Sequence, residues 1–542
     1  MRIVHISTYD IQGGAALAAY RLHRGLRQIG ENCRMLVMHK ASADDMVSPV
    51  FSKEQTEAKD EHFFLSTVIQ NHYIDSHRTD ISNTIFTLPY PGYDLASLSP
   101  VQEADIINLH WVACYQSPVT LQRLFQLSKP VVWTLHDQWA FTGGCHYAAG
   151  CEKYRHDCAF CPQLTDDPFN LPAANLKDKL TLFAGANLTI VTPSHWLASC
   201  VRESTLFKNH RVEVIPYSLE TEVYRPLIKE GARKELGLPT EAFLLLFGAT
   251  EGAEKRKGYQ ELLAAVGYAL KEPGFKGLVE NGRFKIVCFG NQSGEKNSEL
   301  PIISLGFLDT PEKIRSAYAA ADLFILPSQE DNLPNTMLEA LSCATPVLAF
   351  AVGGIPDIIE DGINGRLIPA DDIPQLARAI LSFVFNPEQR EVMGQNGRRL
   401  MEEQFALPVQ ARRYSLLYQE LCSHPQATPW VPVSGDATGK NAIDFAKGFQ
   451  VNPVTALGPH FDGIYDSLLF RALKEYTPRL QRDWQASEVD RAARMDQIIE
   501  LTRLLRESEA DRVIVNSRLA ELNSRLEVRI RRTLSGLCKG RV

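Results

Sequence analysis

A strand, a polar loop, a short helix and a second strand follow one another between residues 321 and 350, and this order most constrains the fold. Residues 321–327 form an apolar run that ends at a proline, which is typical of a buried strand. Apolar residues recur at helical spacing over 336–344, and residues 346–350 are apolar again. This alternation predicts a parallel α/β sheet, in which ligands bind beyond the carboxyl ends of the strands.

The loop at residues 328–335 combines two features of a ligand site. It leads into a helix N-terminus, whose free N–H groups and dipole favour a phosphate. Glu330 and Asp331 lie in the loop and Glu339 lies one turn into the helix, and carboxylates accept hydrogen bonds from sugar hydroxyls. This combination predicts a nucleotide sugar as ligand. The alternative is an acidic, solvated loop before an ordinary helix.

The spacing of the acidic residues is similar to a known motif. Seven residues separate Asp331 from Glu339, and an alanine and a Pro-Val strand follow. This pattern resembles the E-x7-E motif of the retaining glycosyltransferases of family four, which have the GT-B fold. Asp331 stands where the family more often has glutamate, and Glu330 offers a second register. The resemblance implies that Glu339 holds the ribose and that Asp331 or Glu330 holds the donor sugar.

The N-terminal residues predict another α/β unit. Residues 2–7 are typical of a buried strand, residues 15–29 of a helix, and residues 35–38 of a second strand. The turn between the first strand and the helix contains Gly13 and Gly14 but no G-x-G-x-x-G fingerprint, which argues against a dinucleotide cofactor. The family resemblance implies that this glycine turn faces the bound donor and acceptor.

Two further strands end in histidine. Residues 105–109 lead to His110, and residues 131–135 lead to His136. Both histidines therefore belong at the carboxyl edge of the predicted sheet, where a site is expected. The resemblance implies that His136 contacts the donor sugar or the acceptor.

Four cysteines fall within 17 positions directly after His136. Their spacing is C-x5-C-x6-C-x2-C, and the closing C-x2-C is typical of a zinc knuckle. We predict a structural zinc site; His146 and His156 are alternative ligands, and two disulfides or unpaired thiols are alternative states. The predicted zinc ligands are Cys145, Cys151, Cys158 and Cys161.

A basic loop follows the first strand of the second half. Residues 243–249 form an apolar strand, and Lys257 with Gly258 precedes a helix. This pair resembles the Lys-Gly of the family, whose ammonium contacts the donor diphosphate. The family arginine expected just after Gly248 is absent, and Arg256 or Lys255 can supply the charge instead.

The remaining resemblance extends over roughly residues 1–420. Residues 189–197 resemble the family segment of strand, serine and helix beside the interdomain cleft. Residues 212–218 resemble the strand that ends the first domain, although Tyr217 and Ser218 replace the family's Asn-Gly.

The composition is typical of a soluble globular protein. The 542 residues are 45% hydrophobic and 22% charged, and the net charge of −7 argues against nucleic-acid binding. No apolar run approaches the roughly 18 residues that span a bilayer, and the start of the chain lacks secretory architecture. We therefore expect a cytoplasmic protein whose eleven cysteines are mostly reduced.

The C-terminal part has a different character. Residues 424–470 contain many prolines and glycines, which is typical of a linker. Residues 498–526 carry apolar side chains at an alternating three-four spacing, interrupted by Ser508 and Arg512, which predicts an imperfect coiled coil. Because a lone helix cannot bury this stripe, we expect a homo-oligomer. The basic end suits an anionic membrane surface, and a solvated helix is the alternative.

These observations predict an α/β protein with the GT-B fold: two Rossmann-like, doubly wound domains facing a cleft, and a C-terminal helical or coiled-coil extension. The expected divisions are an acceptor-side domain at 1–218 with the cysteine-rich insert at 143–162, a nucleotide-sugar-binding domain at 219–405, a closing helix at 406–423, a linker at 424–483 and the extension at 484–542.

The resemblance implies transfer of a sugar from a nucleotide diphosphate sugar to a glycan or lipid-linked acceptor with retained configuration. The expected setting is cell-surface polysaccharide synthesis, in the cytoplasm or peripherally at the inner face of the membrane, with no cofactor for catalysis. The alternatives are a degenerate GT-B assembly module acting through its coiled coil, and a sugar-nucleotide epimerase. The predicted catalytic residues are His136, Lys257, Asp331 and Glu339, and the predicted donor-binding residues are Gly13, Gly14, Arg256, Lys257, Glu330, Asp331, Asn332, Leu333, Asn335, Thr336 and Glu339.

Overall fold

The computed structural model describes residues 1–52, 73–82, 84–90, 92–251, 254–291 and 300–423, together with 449, 451, 453–454, 458–461 and 464. The strands are β1 Arg2–Tyr9, β2 Asn32–His39, β3 Val47–Pro49, β4 Gly92–Tyr93, β5 Ile106–Leu109, β6 Val131–Thr134, β7 Leu188–Thr192, β8 Arg211–Val214, β9 Phe243–Glu251, β10 Phe284–Asn291, β11 Ile302–Ser304, β12 Leu323–Leu326, β13 Val347–Phe350, β14 Gly365–Ile368 and β15 Pro453–Val454. The α-helices are α1 Gly14–Gln28, α2 Ser99–Glu103, α3 Pro118–Phe125, α4 Leu171–Leu182, α5 His195–Glu203, α6 Lys229–Glu235, α7 Tyr259–Ala269, α8 Pro273–Glu280, α9 Pro311–Ala320, α10 Asn335–Ser342, α11 Ile373–Phe385, α12 Pro387–Gln404 and α13 Leu407–Ser423.

The first domain is built on a seven-stranded parallel sheet. Its strand order is β3-β2-β1-β5-β6-β7-β8, so the order reverses between β1 and β5. The strands β5, β6 and β7 are buried along their whole length because helices cover both faces, as expected for a parallel sheet. Helix α13, at the end of the described stretch 300–423, returns to pack against α1 and this sheet.

The second domain is built on a six-stranded parallel sheet. Its order is β11-β10-β9-β12-β13-β14, and the order reverses between β9 and β12. A crevice opens at such a reversal, where loops that leave neighbouring strands turn to opposite faces. Three loops follow strands that lie at these two reversals: the turn after β1, the basic loop after β9 and the acidic loop after β12. The predicted pair of doubly wound domains is therefore confirmed.

Some local structure differs from the sequence predictions. The sequence after Gly354, residues 355–360, predicts the start of a helix, but the structure has only a single 3-10 turn there, Ile355–Asp357. Gly353 explains the abrupt turn, because its φ is +55° and a Cβ there would lie 1.6 Å from the Asp331 carbonyl oxygen. The predicted C-terminal extension at 484–542 lies outside the described residues.

The predicted linker at 424–483 also differs where it is described. Strand β15 pairs antiparallel with β4 of the first domain. Phe449 and Val451 belong to the main core of that domain, and Phe461 packs in a smaller cluster beside it. The described residues between 449 and 464 are therefore part of the first domain rather than a free linker, and we call them the C-terminal strap.

Candidate active site

Loops from both domains meet where the two sheets face each other. Gly13, with a φ of +94°, and Gly14 begin α1, and the carbonyl oxygen of Gly14 accepts a hydrogen bond from Asn335 Nδ2 at 2.9 Å. Asn335 begins α10 in the second domain. The glycine turn and the N-terminus of α10 are thereby in direct contact across the interdomain boundary.

The basic residues after β9 surround Asp331. Lys257 Nζ lies 2.7 Å from Asp331 Oδ2, and Arg256 lies 3.3 Å from the same oxygen. Gly258 allows this approach, because a Cβ there would lie 1.7 Å from the carbonyl oxygen of Pro327. Burial alone would raise the pKa of Asp331, but Lys257 and Arg256 outweigh burial and hold it below the usual value. Asp331 is therefore a carboxylate paired with two cations.

Glu339 is buried and paired with a residue of the first domain. The guanidinium of Arg21, from α1, lies 2.9 Å from Glu339 and 2.9 Å from Glu220 in the interdomain connection. The Tyr318 hydroxyl donates to the other Glu339 oxygen at 3.2 Å. Burial raises the pKa of Glu339, and the ion pair with Arg21 only partly opposes that rise.

Arg21 is a residue that the sequence reasoning missed. It is 1% exposed and lies on the buried face of α1, three residues after Ala18 and four before Gly25. An arginine on the apolar stripe of a helix is the signal that could have identified it, because a buried guanidinium needs a carboxylate partner.

Glu330 points towards the cysteine-rich insert instead of the basic loop. Its side chain accepts a hydrogen bond from the N–H of Ala149 at 3.0 Å. The guanidinium of Arg256 stacks over the ring of Tyr147 at 4.1 Å from the ring centre. Residues 147–149 of the insert are therefore in contact with the loops that were predicted to bind the donor.

Both ring nitrogens of His136 are engaged within the protein. Its Nδ1 lies 2.7 Å from the hydroxyl of Tyr217, and its Nε2 lies 3.2 Å from His110 Nδ1. Asn332, predicted to bind the donor, instead links the domains: Nδ2 donates to the His136 carbonyl oxygen at 3.0 Å, and Oδ1 accepts from Ser194 at 2.6 Å. Burial lowers the pKa of His136 to about 4, so this ring is neutral at pH 7.

The structure brings most predicted donor-site residues to one interdomain region and separates a few of them. Leu333 lies in the core of the second domain, and Thr336 is half-buried in the first turn of α10. The residues that meet at the boundary are Gly14, His136, Arg256, Lys257, Asp331, Asn332, Asn335 and Glu339, with Glu330 beside them facing the insert.

The four cysteines of the insert line one small cavity outside this region. All four are unpaired thiols. The N–H of Lys153 points at Cys151 Sγ at 3.5 Å, and Lys179, 1% exposed, lies nearby with its pKa lowered by burial to about 7. Within the described residues, no group of three or more His, Cys, Asp or Glu side chains is arranged closely enough to hold a metal ion.

Residues 229–400, which include the basic loop and the acidic loop, match the family described as "Glycosyl transferases group 1". This stretch is a glycosyltransferase group 1 domain. The resemblance to a glycosyltransferase seen in the sequence is therefore confirmed over residues 229–400.

The group 1 domain carries most of the similarity to curated relatives. The chain is 32% identical over 197 residues to a D-inositol 3-phosphate glycosyltransferase of Streptosporangium roseum. The aligned region covers 34% of this chain and 44% of the relative. A protein of the same description from Corynebacterium jeikeium is 25% identical over 352 residues, 61% of this chain and 80% of the relative. The chain spans less than half the length of the first of these relatives.

Solved structures resemble both domains together. Sucrose-phosphate synthase from Thermosynechococcus elongatus superposes with a TM-score of 0.53 at 17% identity, covering 78% of this chain and 99% of that one. Anabaena HepE, solved in complex with UDP, superposes with a TM-score of 0.51 at 15% identity, covering 78% and 100%. At these identities the likeness shows the fold alone, and the predicted GT-B fold is confirmed.

Among the described residues, no helix combines the length and the apolar character that crossing a bilayer requires.

Proposed function

We propose that the protein is a glycosyltransferase that transfers a sugar from a nucleoside diphosphate sugar to a glycan or lipid-linked acceptor, with retention at the anomeric carbon. One observation carries this proposal. Lys257 and Arg256 contact Asp331 in the loop that leads into the N-terminus of α10, at the boundary between two Rossmann-like domains. Two cations and a helix N-terminus at such a crevice suit a diphosphate.

Asp331 explains how the cations are held before the donor binds. Paired with Lys257 and Arg256, it offsets one of their two positive charges and keeps both side chains in place. When the diphosphate takes over these cations, the carboxylate of Asp331 becomes available to the hydroxyls of the donor sugar. The cations would then stabilise the charge that develops on the leaving phosphate.

The proposed reaction is a displacement on one face of the sugar. The bond from the anomeric carbon to the phosphate oxygen breaks, and a bond to the acceptor hydroxyl oxygen forms on the same face. The proton of the acceptor passes to the leaving phosphate oxygen. The residues of this chain bind, orient and neutralise charge, and no side chain forms a covalent intermediate in this scheme.

A donor panel tests the proposal. The full-length protein is incubated with UDP-, GDP- and ADP-sugars, with and without glycan or lipid-linked acceptors, and nucleotide release is measured. We expect release that depends on the acceptor, and NMR of the product should show the anomeric configuration of the donor. Conversion of a nucleotide sugar into its epimer without net nucleotide release would favour the epimerase alternative, and no reaction with any pair would favour the assembly module.

We further propose a structural zinc ion in the insert. The support is that four unpaired thiols line one cavity, and four thiolates can close a tetrahedral site. The side chains as they stand are not arranged to hold a metal, so zinc binding requires Cys145, Cys151, Cys158 and Cys161 to turn towards one point.

We also propose that the protein acts in cell-surface polysaccharide synthesis, at the inner face of the membrane and as a homo-oligomer. The support is the basic, heptad-like sequence at 484–542, which lies outside the described residues. Flotation with anionic phospholipid vesicles tests the membrane contact, and binding to purely zwitterionic vesicles would contradict it.

A further inference from the structure

Three buried histidines and one tyrosine form a continuous hydrogen-bonded chain at the edge of the first sheet. His5, in β1, contacts His110 after β5 at 2.9 Å, between Nδ1 and Nε2. His110 contacts His136 at 3.2 Å, and His136 contacts the Tyr217 hydroxyl at 2.7 Å. All four side chains are more than nine-tenths buried.

The number of protons in this chain is fixed. Burial lowers the pKa of His5, His110 and His136, so each ring is neutral at pH 7 and carries one N–H. Burial raises the pKa of Tyr217, so its hydroxyl keeps its proton. Four protons serve three contacts, and one donor is therefore left over.

The three contacts allow only two arrangements of these protons. In the outward arrangement each ring donates towards the boundary, His136 Nδ1 donates to Tyr217, and the Tyr217 O–H is the surplus donor. In the inward arrangement every donor points the other way, and the surplus donor is His5 Nε2–H. His5 Nε2 is buried and has no hydrogen-bond partner among the described residues.

The outward arrangement is favoured on physical grounds. A buried N–H without an acceptor is rare, because losing its hydrogen bond to water is costly. Both arrangements leave one buried donor. At the fully buried His5 Nε2 it would stay unpaired, whereas the outward arrangement places it on Tyr217, near Tyr147, Asp137 and Asp331 at the interdomain boundary, where a ligand can accept it. Within the described part of the chain, His136 is the sole hydrogen-bond partner of that hydroxyl.

A buried hydroxyl proton without an acceptor, beside the candidate donor site, points to a ligand oxygen. We propose that Tyr217 is a substrate-contacting residue, whose hydroxyl donates a hydrogen bond to an oxygen of the bound nucleotide sugar. His110 and His5 are positioning residues that keep the proton of His136 on Nδ1. This inference rests on the proposed glycosyltransferase function, and it gives a role to a residue that departs from the family's Asn-Gly sequence.

The first test compares two tyrosine variants. Tyr217→Phe keeps the ring stacked on His136, whose centre lies 5.4 Å away, and removes only the hydroxyl. Tyr418→Phe is the control, because its buried hydroxyl is hydrogen-bonded to Asn108 within the first domain. With the nucleotide sugar that the wild type uses, we expect Tyr217→Phe to raise KM about fivefold, as for loss of one neutral hydrogen bond, with kcat changed less. An unchanged KM would overturn the proposal.

The second test does not depend on turnover. Nitrogen-15 NMR of histidine-labelled full-length protein reports which ring nitrogen of His136 is protonated, with His136→Gln assigning the signal. We expect the proton on Nδ1 in the wild type and a mixture of both forms in His110→Gln. A proton on Nε2 in the wild type overturns the Tyr217 proposal whatever the kinetics show. Absence of turnover with every nucleotide sugar instead refutes the proposed function, and the two failures are distinct.

Discussion

At the scale of single residues, the charged side chains of the candidate site are already paired within the protein. Asp331 is paired with Lys257 and Arg256, and Glu339 is paired with Arg21. An unpaired buried charge would be costly, so these partners hold the site together before any ligand binds. A diphosphate sugar must therefore displace some of these ion-pair partners when it binds, because the charged groups are already paired.

Lys257→Ala should lower kcat/KM by at least an order of magnitude. The loss of a charge-assisted contact to the leaving diphosphate costs about 2 to 4 kcal/mol in the transition state. Lys255→Ala is the matched control, because Lys255 is exposed in the same 3-10 turn. Steady-state kinetics of both variants test this, and equal activity of the two would contradict the assignment of Lys257.

Asp331→Ala should reduce transfer more than Glu330→Ala. Asp331 touches both cations of the basic loop, whereas Glu330 accepts from the N–H of Ala149 in the insert. Removing Asp331 affects the donor contacts directly, and removing Glu330 affects how the insert docks. Initial rates at saturating donor distinguish the two variants. The opposite order would mean that Glu330, and not Asp331, holds the donor sugar.

At the scale of elements, the cysteine-rich insert connects the two domains. Tyr147 stacks under Arg256, and Ala149 binds Glu330, so the insert contacts the basic loop and the acidic loop together. The cysteines lie behind this contact surface and line a cavity with Pro172 and Lys153. Their state should therefore affect how well these loops are held.

We expect one zinc per chain in protein purified without added metal, because four thiolates can close a tetrahedral site. Elemental analysis measures the ratio, and the double variant Cys158→Ser/Cys161→Ser should lose the metal. Cys422→Ser, at the end of α13, is the control and should retain it. If the wild type contains four titratable thiols and no zinc, the four cysteines only fill space in the fold.

At the scale of the whole molecule, a buried arginine joins the two domains. Arg21 is paired with Glu339 in the second domain and with Glu220 in the connection, so Arg21→Ala leaves the buried Glu339 without its ion-pair partner and Glu220 with Arg24 alone. We expect it to lower the free energy of unfolding by about 3 to 5 kcal/mol. Arg24→Ala, which removes a half-exposed partner of Glu220, should cost about 1 kcal/mol or less. Denaturant unfolding measures both, and similar losses would contradict the distinction.

The C-terminal strap changes where the chain can be shortened. A chain ending at Ser423 lacks Phe449 and Phe461, and each fully buried phenylalanine contributes about 2 kcal/mol. We expect that chain to melt well below a chain that ends at Ile464. Thermal unfolding compares the two, and equal melting temperatures would show that the strap is dispensable.

A comparison of full-length protein with the chain that ends at Ile464 tests the oligomer. Full-length protein should be at least a dimer, and the chain ending at Ile464 should be a monomer that retains activity on a soluble acceptor. Light scattering gives the number of chains per particle. If both proteins contain the same number of chains per particle, the apolar side chains at 498–526 pack on the catalytic domains or on a membrane instead.

The sequence by itself determined the two doubly wound domains and the loops that carry the site. Apolar strands alternating with helices allow few architectures, and the Gly258 and Asp331 regions carry local signals that do not depend on distant contacts. The resemblance over the group 1 domain depends on the same local spacings. These features could be predicted because each is encoded within one short stretch.

Only the tertiary structure decided which partner each of these side chains has. Arg21 and Glu339 are 318 residues apart, and Tyr217 meets His136 across 81 residues. The packing of the C-terminal strap against β4 also joins distant segments. Such contacts are fixed by how two domains and a returning helix pack together. No periodicity or local spacing encodes that packing, because its energy comes from surfaces that meet only in the folded chain.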